Sequence, residues 1–126
     1  MQLRYVTLIV RDLRDSVRFY RDLLGIRLIE ESRTAAEFDT GGATLALHLA
    51  HVDGHGKTHH PPMIAGSCRL SFYVDDLDHV HQRLVKAGVP CLNPPETKYD
   101  MRVALYEDPD GINFTVAERS GATSDA

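Results

Sequence analysis

The chain has 126 residues, of which 43% are hydrophobic and 25% charged, the size and composition of one globular domain with its own core. A formal net charge of −4, with no run of Lys or Arg, argues against a nucleic-acid partner. Charges interrupt the short apolar run at the N-terminus, which argues against a signal or membrane segment, so we expect a cytoplasmic protein with no membrane partner.

The first half of the chain has the pattern of one strand, one helix and three more strands. Asp12 is a candidate N-cap for the helix, and Gly25 is a candidate end. Gly41 and Gly42 predict a turn before the last strand. The predicted elements are a strand at 5–10, a helix at 12–24 and strands at 26–31, 35–40 and 43–50.

The second half repeats this pattern. Val74 ends its first strand 64 residues after Val10 ends the corresponding strand, and Asp76 takes the place of the helix cap. The DPDG sequence at 108–111 predicts a turn. The predicted elements are a strand at 69–74, a helix at 76–87 and strands at 102–107 and 112–117. A tandem duplication explains the repeat.

The domain organisation follows from these halves. We predict one domain over 1–118, with module one at about 3–50 and module two at about 68–118. The segment 51–67 is rich in Gly, Pro and polar residues and is predicted to be a linker or lid. The tail, 119–126, is small and polar and is predicted to be flexible. Cys68 and Cys91 form no CxxC pair, which argues against a disulfide framework or a zinc finger.

Two motifs carry a resemblance to a known family. Residues Val10 to Gly25 read V-x-D-L-x-x-S-x-x-F-Y-x-x-x-L-G, and residues 107–111 read E-D-P-D-G. Over about 3–118 the chain resembles the vicinal oxygen chelate (VOC) superfamily of glyoxalases, dioxygenases and bleomycin or fosfomycin resistance proteins. The resemblance implies an α+β fold of two tandem βαβββ modules whose curved sheets form a cup, usually completed in a homodimer.

The resemblance also locates the family's metal ligands. Metal-dependent members have His or Glu at up to four cup positions, which correspond here to Tyr5, Ala46, Arg69 and Thr115. Alanine has no lone pair, arginine is a permanent cation, and the tyrosine and threonine hydroxyls are poor ligands. We therefore predict no metal cofactor. A divalent metal bound by His48 and rearranged histidines is the alternative, and the segment 51–67 supplies His51, His55, His59 and His60.

Strand alternation separates two faces of the predicted sheets. One face is apolar and is predicted to form the core, whereas the other is small and polar and is either solvated or the wall of a ligand site. The candidate ligand-binding residues on the polar faces are Tyr5, Thr7, His48, Arg69, Ser71, Asn113 and Thr115. Because these groups are hydroxyls, an imidazole, an amide and a guanidinium, they suit an anionic or carbonyl-bearing molecule.

Individual roles remain open. Arg69 either binds an anion or pairs structurally with Glu107, Asp39 or a dimer mate. His48 is the candidate catalytic acid or base, because an imidazole titrates near neutral pH, or it is a polar rim residue. Tyr5 is favoured as a wall of the cavity. In the second helix, His79 and His81 are expected to face solvent.

Three functions fit these observations. The leading one is a metal-independent protein that binds a small molecule, similar to bleomycin resistance proteins. The second is an enzyme, either a lyase or isomerase using His48 with Arg69 as an oxyanion partner or a metal-dependent member of the glyoxalase or dioxygenase type. The third is a non-catalytic module with a vestigial cup. The identity of the ligand does not follow from the fold.

Overall fold

The computed structural model describes residues 2–50, 69–98 and 100–119, which belong to two compact units, one in each half of the chain. Each unit contains a strand, a helical segment and three further strands, and each has one four-stranded sheet. The predicted α+β fold with two tandem βαβββ modules is confirmed. The linker 51–67 with its four histidines, Cys68 and residues 120–126 of the tail lie outside the described residues.

The first unit has its helix on one face of a mixed sheet. Its elements are β1 (Tyr5–Val10), α1 (Leu13–Arg18) followed by a π-helical segment (Phe19–Leu23), β2 (Arg27–Glu31), β3 (Ala35–Asp39) and β4 (Thr44–Leu49). The strand order is β1-β4-β3-β2. β1 runs parallel to β4, and the other two neighbouring pairs are antiparallel.

The first helix begins as predicted but does not continue as regular α-helix. The Asp12 carboxylate accepts a hydrogen bond from the Asp15 backbone N–H at 3.0 Å, which makes Asp12 the N-cap. The π-helical segment follows, in which Phe19 and Tyr20 are both buried, with ring centroids 5.1 Å apart. Apolar spacing alone predicted one α-helix over 12–24, because a local change in helical pitch leaves no distinct mark on that spacing. Gly25 ends the segment with a φ of 75°.

The second unit repeats this topology. Its elements are β5 (Leu70–Val74), α2 (Leu77–Lys86), β6 (Cys91–Lys98), β7 (Met101–Glu107) and β8 (Asn113–Glu118), in the sheet order β5-β8-β7-β6. β5 runs parallel to β8, and the other two neighbouring pairs are antiparallel. Among the described residues no helix is both long and apolar enough to cross a membrane.

Strand β6 has no counterpart among the predicted strands. It contains Pro94 and Pro95, which have no backbone N–H and therefore argue against a central strand. In the structure β6 lies at the edge of its sheet, and its pairing with β7 shifts register between Cys91 and Asn93 and again between Asn93 and Glu96. An edge position with irregular pairing accommodates the prolines. The strand β6 therefore depends on its place in the sheet and could not be predicted from the local sequence.

The second unit's core is built on the sheet face that packs against α2. Tyr106 is fully buried and stacks on Phe114 with ring centroids 5.5 Å apart. The Tyr106 hydroxyl lies 2.8 Å from Nδ1 of His81. Burial, with a smaller contribution from Cys91, raises the pKa of Tyr106, so the phenol stays protonated. The expectation that His81 faces solvent is therefore wrong, since its ring is half-buried against this phenol.

Helix α2 begins at a network of carboxylates. Asp76 accepts a hydrogen bond from the His79 backbone N–H at 3.1 Å, and Glu118 of β8 accepts one from the Leu77 backbone N–H at 3.0 Å. Arg102 lies 3.1 Å from Asp78 and 3.8 Å from Glu118. These contacts anchor the start of the helix to the sheet.

Replacing Asp76 with alanine is expected to lower the free energy of unfolding by about 1 kcal/mol, because the His79 N–H loses its partner at the helix terminus. Urea unfolding followed by circular dichroism measures the change. Asp75→Ala is the matched control, since Asp75 is an exposed aspartate one residue away. Equal losses in the two variants would contradict the capping role.

Candidate functional site

A cavity of about 360 Å³ lies on the sheet face of the second unit that α2 leaves uncovered, here called the open face of the second sheet. All four strands of the sheet contribute to it. The residues that line it are Ser71, Phe72, Tyr73, Lys98, Met101, Val103, Thr115 and Ala117. Apolar side chains supply most of the wall, and a few polar groups lie among them, as is usual in small-molecule sites.

Two hydroxyl groups meet at one part of this cavity. Ser71 and Thr115 are register partners on the parallel strands β5 and β8. The Thr115 hydroxyl donates to the Ser71 hydroxyl oxygen at 2.7 Å. Because this bond uses the Thr115 proton, the Ser71 proton is left to donate to a ligand oxygen.

The charged groups at the cavity are positive. Lys98 lines it, and none of the described lining residues is acidic. The Arg119 guanidinium carbon lies 5.2 Å from the centroid of the Tyr73 ring, a cation–π contact with a cavity wall. Neither Lys98 nor Arg119 forms an ion pair with another described residue. No described carboxylate therefore neutralises either cation.

Four of the predicted site residues lie in the second unit, and the structure brings two of them together. Ser71 and Thr115 line the cavity, whereas Arg69 and Asn113 do not. Arg69 directly precedes β5, is exposed, and forms no ion pair with a described residue of the second unit, Glu107 included.

Asn113 is almost fully buried, with 7% of its surface exposed, and is the register partner of Glu107. Its Oδ1 atom has no hydrogen-bond partner among the described residues. Burial makes Asn113 a less accessible candidate for ligand binding than Ser71 or Thr115.

The other three predicted site residues lie in the first unit. Tyr5, Thr7 and His48 are exposed. Thr7 is the register partner of Ala46, and Ile9 is that of His48. Tyr5 keeps 50% of its surface exposed. They belong to the predicted polar face of the first sheet.

Several residues on these sheet faces were not among the site residues predicted from the sequence. Lys98 was missed because β6 was not predicted, and Arg119 was assigned to the flexible tail. Tyr73 shares the face of Ser71, two residues earlier on β5, but was not among the candidate ligand-binding residues. In the first unit, Glu37 pairs with Ala46 and so shares the face of Thr7. Alternation along β3 is the signal that could have identified it.

The four positions that the family resemblance assigns to metal ligands do not fit a divalent metal. Ala46 is buried and has no donor atom, and the Thr115 hydroxyl is bonded to Ser71. Arg69 adds a positive charge. Across the residues that the structure describes, no group of three or more His, Cys, Asp or Glu side chains could hold a metal ion. The linker histidines lie outside that part of the chain.

Fold and sequence together define the class of protein. The family model described as the glyoxalase/bleomycin resistance protein/dioxygenase superfamily matches residues 2–116, and the chain belongs to this superfamily. The uncharacterized protein YraH of Bacillus subtilis (strain 168) is 32% identical over 118 residues, which cover 87% of this chain and 92% of YraH.

Two further proteins illustrate the breadth of the superfamily. The glutathione transferase FosA of Serratia marcescens is 30% identical over 111 residues, covering 86% of this chain and 74% of FosA. A crystal structure of a glyoxalase/dioxygenase from Nostoc punctiforme superposes with a TM-score of 0.80 at 19% identity, covering 93% of this chain and 90% of that one. At that identity the superposition supports the fold alone.

Proposed function

We propose that this protein binds a small anionic or carbonyl-bearing molecule in the cavity of the second sheet, without the divalent metal that many of its relatives use. The observation that carries the proposal is the cavity itself, where a hydroxyl pair and the Lys98 ammonium lie among apolar walls. Serine and lysine are hydrogen-bond donors suited to carboxylate, phosphonate or carbonyl oxygens.

The size and composition of the cavity support a small ligand. A volume of about 360 Å³ is at the lower end of the range of roughly 300–1,000 Å³ for small-molecule pockets. Met101, Val103 and Ala117 provide apolar contact, and burial of a ligand against them is favourable at about 25 cal/mol per Å² of apolar surface. The hydroxyl pair and Lys98 would then determine how the ligand is oriented and which chemical class of ligand binds.

The side chains at the family's metal positions support the metal-independent part of the proposal. The donor groups that remain there are hydroxyls and a cation, so oxygen atoms of a ligand would be bound by hydrogen bonds and charge. FosA is named as a transferase of glutathione, so recognition of a small molecule has a precedent among the relatives.

The proposal is tested by isothermal titration of metal-depleted protein with a panel of small carboxylates, phosphonates and ketones, alongside elemental analysis of the sample. We expect one ligand per chain to bind without added metal. Thr115→Val should weaken binding by about tenfold, because the Ser71 hydroxyl loses the partner that orients it. Thr97→Val is the matched control, because Thr97 is an exposed threonine of β6 outside the cavity lining, and it should leave the affinity unchanged.

Other outcomes of the same experiment would redirect the assignment. Binding that appears only after Zn, Ni, Mn or Fe(II) is added would contradict metal independence. Turnover of a bound compound that is lost in His48→Ala would favour the acid–base enzyme instead. Absence of binding across the whole panel would contradict the proposal and leave the non-catalytic module.

A further inference from the structure

We infer that the ligand of the second sheet is an elongated molecule with an anionic group at one end, an apolar middle and a hydrogen-bond acceptor at the other end. This inference rests on the proposed function and makes it more specific. It follows from the order in which the pairing of strands places the lining residues along the open face.

The strand register arranges the cavity in three successive rows across the sheet. The first row contains Ser71 and its partner Thr115, which is paired in turn with Leu105 of β7. The second row contains Tyr73 and its partner Ala117, which is paired with Val103. The rows are therefore two residues apart along each strand, and both belong to the open face.

The third row is cationic. Lys98 of β6 is the register partner of Met101 on β7. Met101 lies two residues before Val103, and Arg119 lies two residues after Ala117, so both follow on the same side of the row that contains the Val103–Ala117 pair. The Arg119 backbone N–H donates to the Val74 carbonyl at 2.9 Å, so this segment still follows β5.

The distance between the two polar ends sets the length of the ligand. Each row is two residues from the next, which at about 3.3 Å per residue puts the backbone of the hydroxyl row about 13 Å from that of the cationic row. The row between them carries the Tyr73 ring on the edge strand β5, on which the Arg119 guanidinium stacks, and Ala117 and Val103 on the central strands. A molecule that satisfies both ends must therefore cross an apolar strip.

The cationic row is arranged to bind an anion. The Arg119 guanidinium stacks on the Tyr73 ring at the cavity wall, and no other described residue accepts a hydrogen bond from its N–H groups, which suit a carboxylate or phosphonate. Lys98 contributes a second charge from the edge strand. The acidic residues of β6 and its turn, Glu96 and Asp100, are exposed and lie outside the cavity lining.

Three matched compounds test the inference by isothermal titration. 7-Oxooctanoate has both ends, 8-hydroxyoctan-2-one replaces the carboxylate with a neutral alcohol, and octanoate lacks the keto oxygen. We expect 7-oxooctanoate to bind about tenfold more tightly than either of the others, because each of them loses one polar end. The difference in affinity between 7-oxooctanoate and 8-hydroxyoctan-2-one should become smaller as the salt concentration rises.

Substitutions test which residues bind each end of the ligand. Lys98→Gln and Arg119→Gln should each lower the affinity for 7-oxooctanoate by about three- to tenfold, and the affinity for the neutral keto alcohol should not change. Ser71→Ala should remove the difference in affinity between 7-oxooctanoate and octanoate. Arg83→Gln is the matched control, because Arg83 is an exposed arginine of α2 outside the cavity lining, and it should change none of the affinities.

The outcomes separate this inference from the proposed function. Equal affinity for the acid and the keto alcohol would overturn the anionic end, while binding in the cavity would still stand. Binding of 7-oxooctanoate that neither cation variant weakens would overturn the assignment of the cationic row. If none of the three compounds binds, the elongated ligand is ruled out, and the broader panel described above decides whether the cavity binds any small molecule.

Discussion

Replacing Tyr106 with alanine is expected to lower the free energy of unfolding by about 3–5 kcal/mol, enough to unfold a marginally stable domain. Tyr106 has no exposed surface, stacks on Phe114 and lies 2.8 Å from His81 across the interface with α2. Removing the ring leaves a cavity in the centre of the second unit. Urea unfolding, followed by far-ultraviolet circular dichroism, measures the loss.

Two controls separate packing from hydrogen bonding at this position. Tyr106→Phe keeps the ring and removes only the hydroxyl, so a loss of about 0.5–1.5 kcal/mol is expected. Tyr73→Ala removes a tyrosine that keeps 59% of its surface exposed on the same sheet, and it should have a much smaller effect than Tyr106→Ala. A Tyr106→Ala variant as stable as Tyr73→Ala would contradict the assignment of the core.

Replacing Ala117 with tryptophan is expected to reduce ligand affinity by at least about 100-fold. Ala117 lies in the middle row of the cavity, between Tyr73 on β5 and Val103 on β7. An indole at that position would occupy the space that the apolar part of a ligand needs, and close packing leaves no room for both. Titration of any compound that binds the unmodified protein measures the effect.

A folded variant is needed for that result to be informative. Circular dichroism and thermal unfolding should show that Ala117→Trp keeps its native fold, at a cost of about 1–3 kcal/mol for overpacking. Thr97→Trp is the matched control, because it places the same side chain at an exposed position of β6 outside the cavity lining. Unchanged binding by Ala117→Trp, or an equal loss of affinity in Thr97→Trp, would contradict the placement of the ligand in the cavity.

Much of the fold could be predicted from the sequence because its signals are local. Alternating apolar residues in 5–10 and 69–74, and the helix caps at Asp12 and Asp76, act within a few residues of the chain. The repeat at an offset of 64 residues then indicated that the second unit begins, like the first, with a strand followed by a capped helix. The structure confirms both modules.

The parts that were missed depend on contacts distant in sequence. Pro94 and Pro95 are acceptable in β6 only because the strand lies at the edge of the sheet and pairs irregularly. The half-buried state of His81 depends on a tyrosine 25 residues later in the chain. Neither feature has a local signature.

The candidate site shows the same division. Ser71 and Thr115 could be selected because alternation places both on the polar face of their strands. Lys98 and Arg119 could not, because their positions at the cavity follow from the pairing of β6 with β7 and from the stacking of Arg119 on Tyr73. A cavity belongs to several strands together, so its lining cannot be read from the alternation within any one of them.

The central claim, a ligand site on the open face of the second sheet that needs no metal, is tested most directly by mapping amide chemical shifts. Metal-depleted, isotope-labelled protein would be titrated with a compound that binds in the calorimetric panel. We predict shifts concentrated at Ser71, Tyr73, Met101, Thr115 and Ala117, with the same affinity in the presence of a chelator. Shifts confined to Thr7, His48 and their neighbours in the first unit, or shifts that appear only after a divalent metal is added, would contradict the claim.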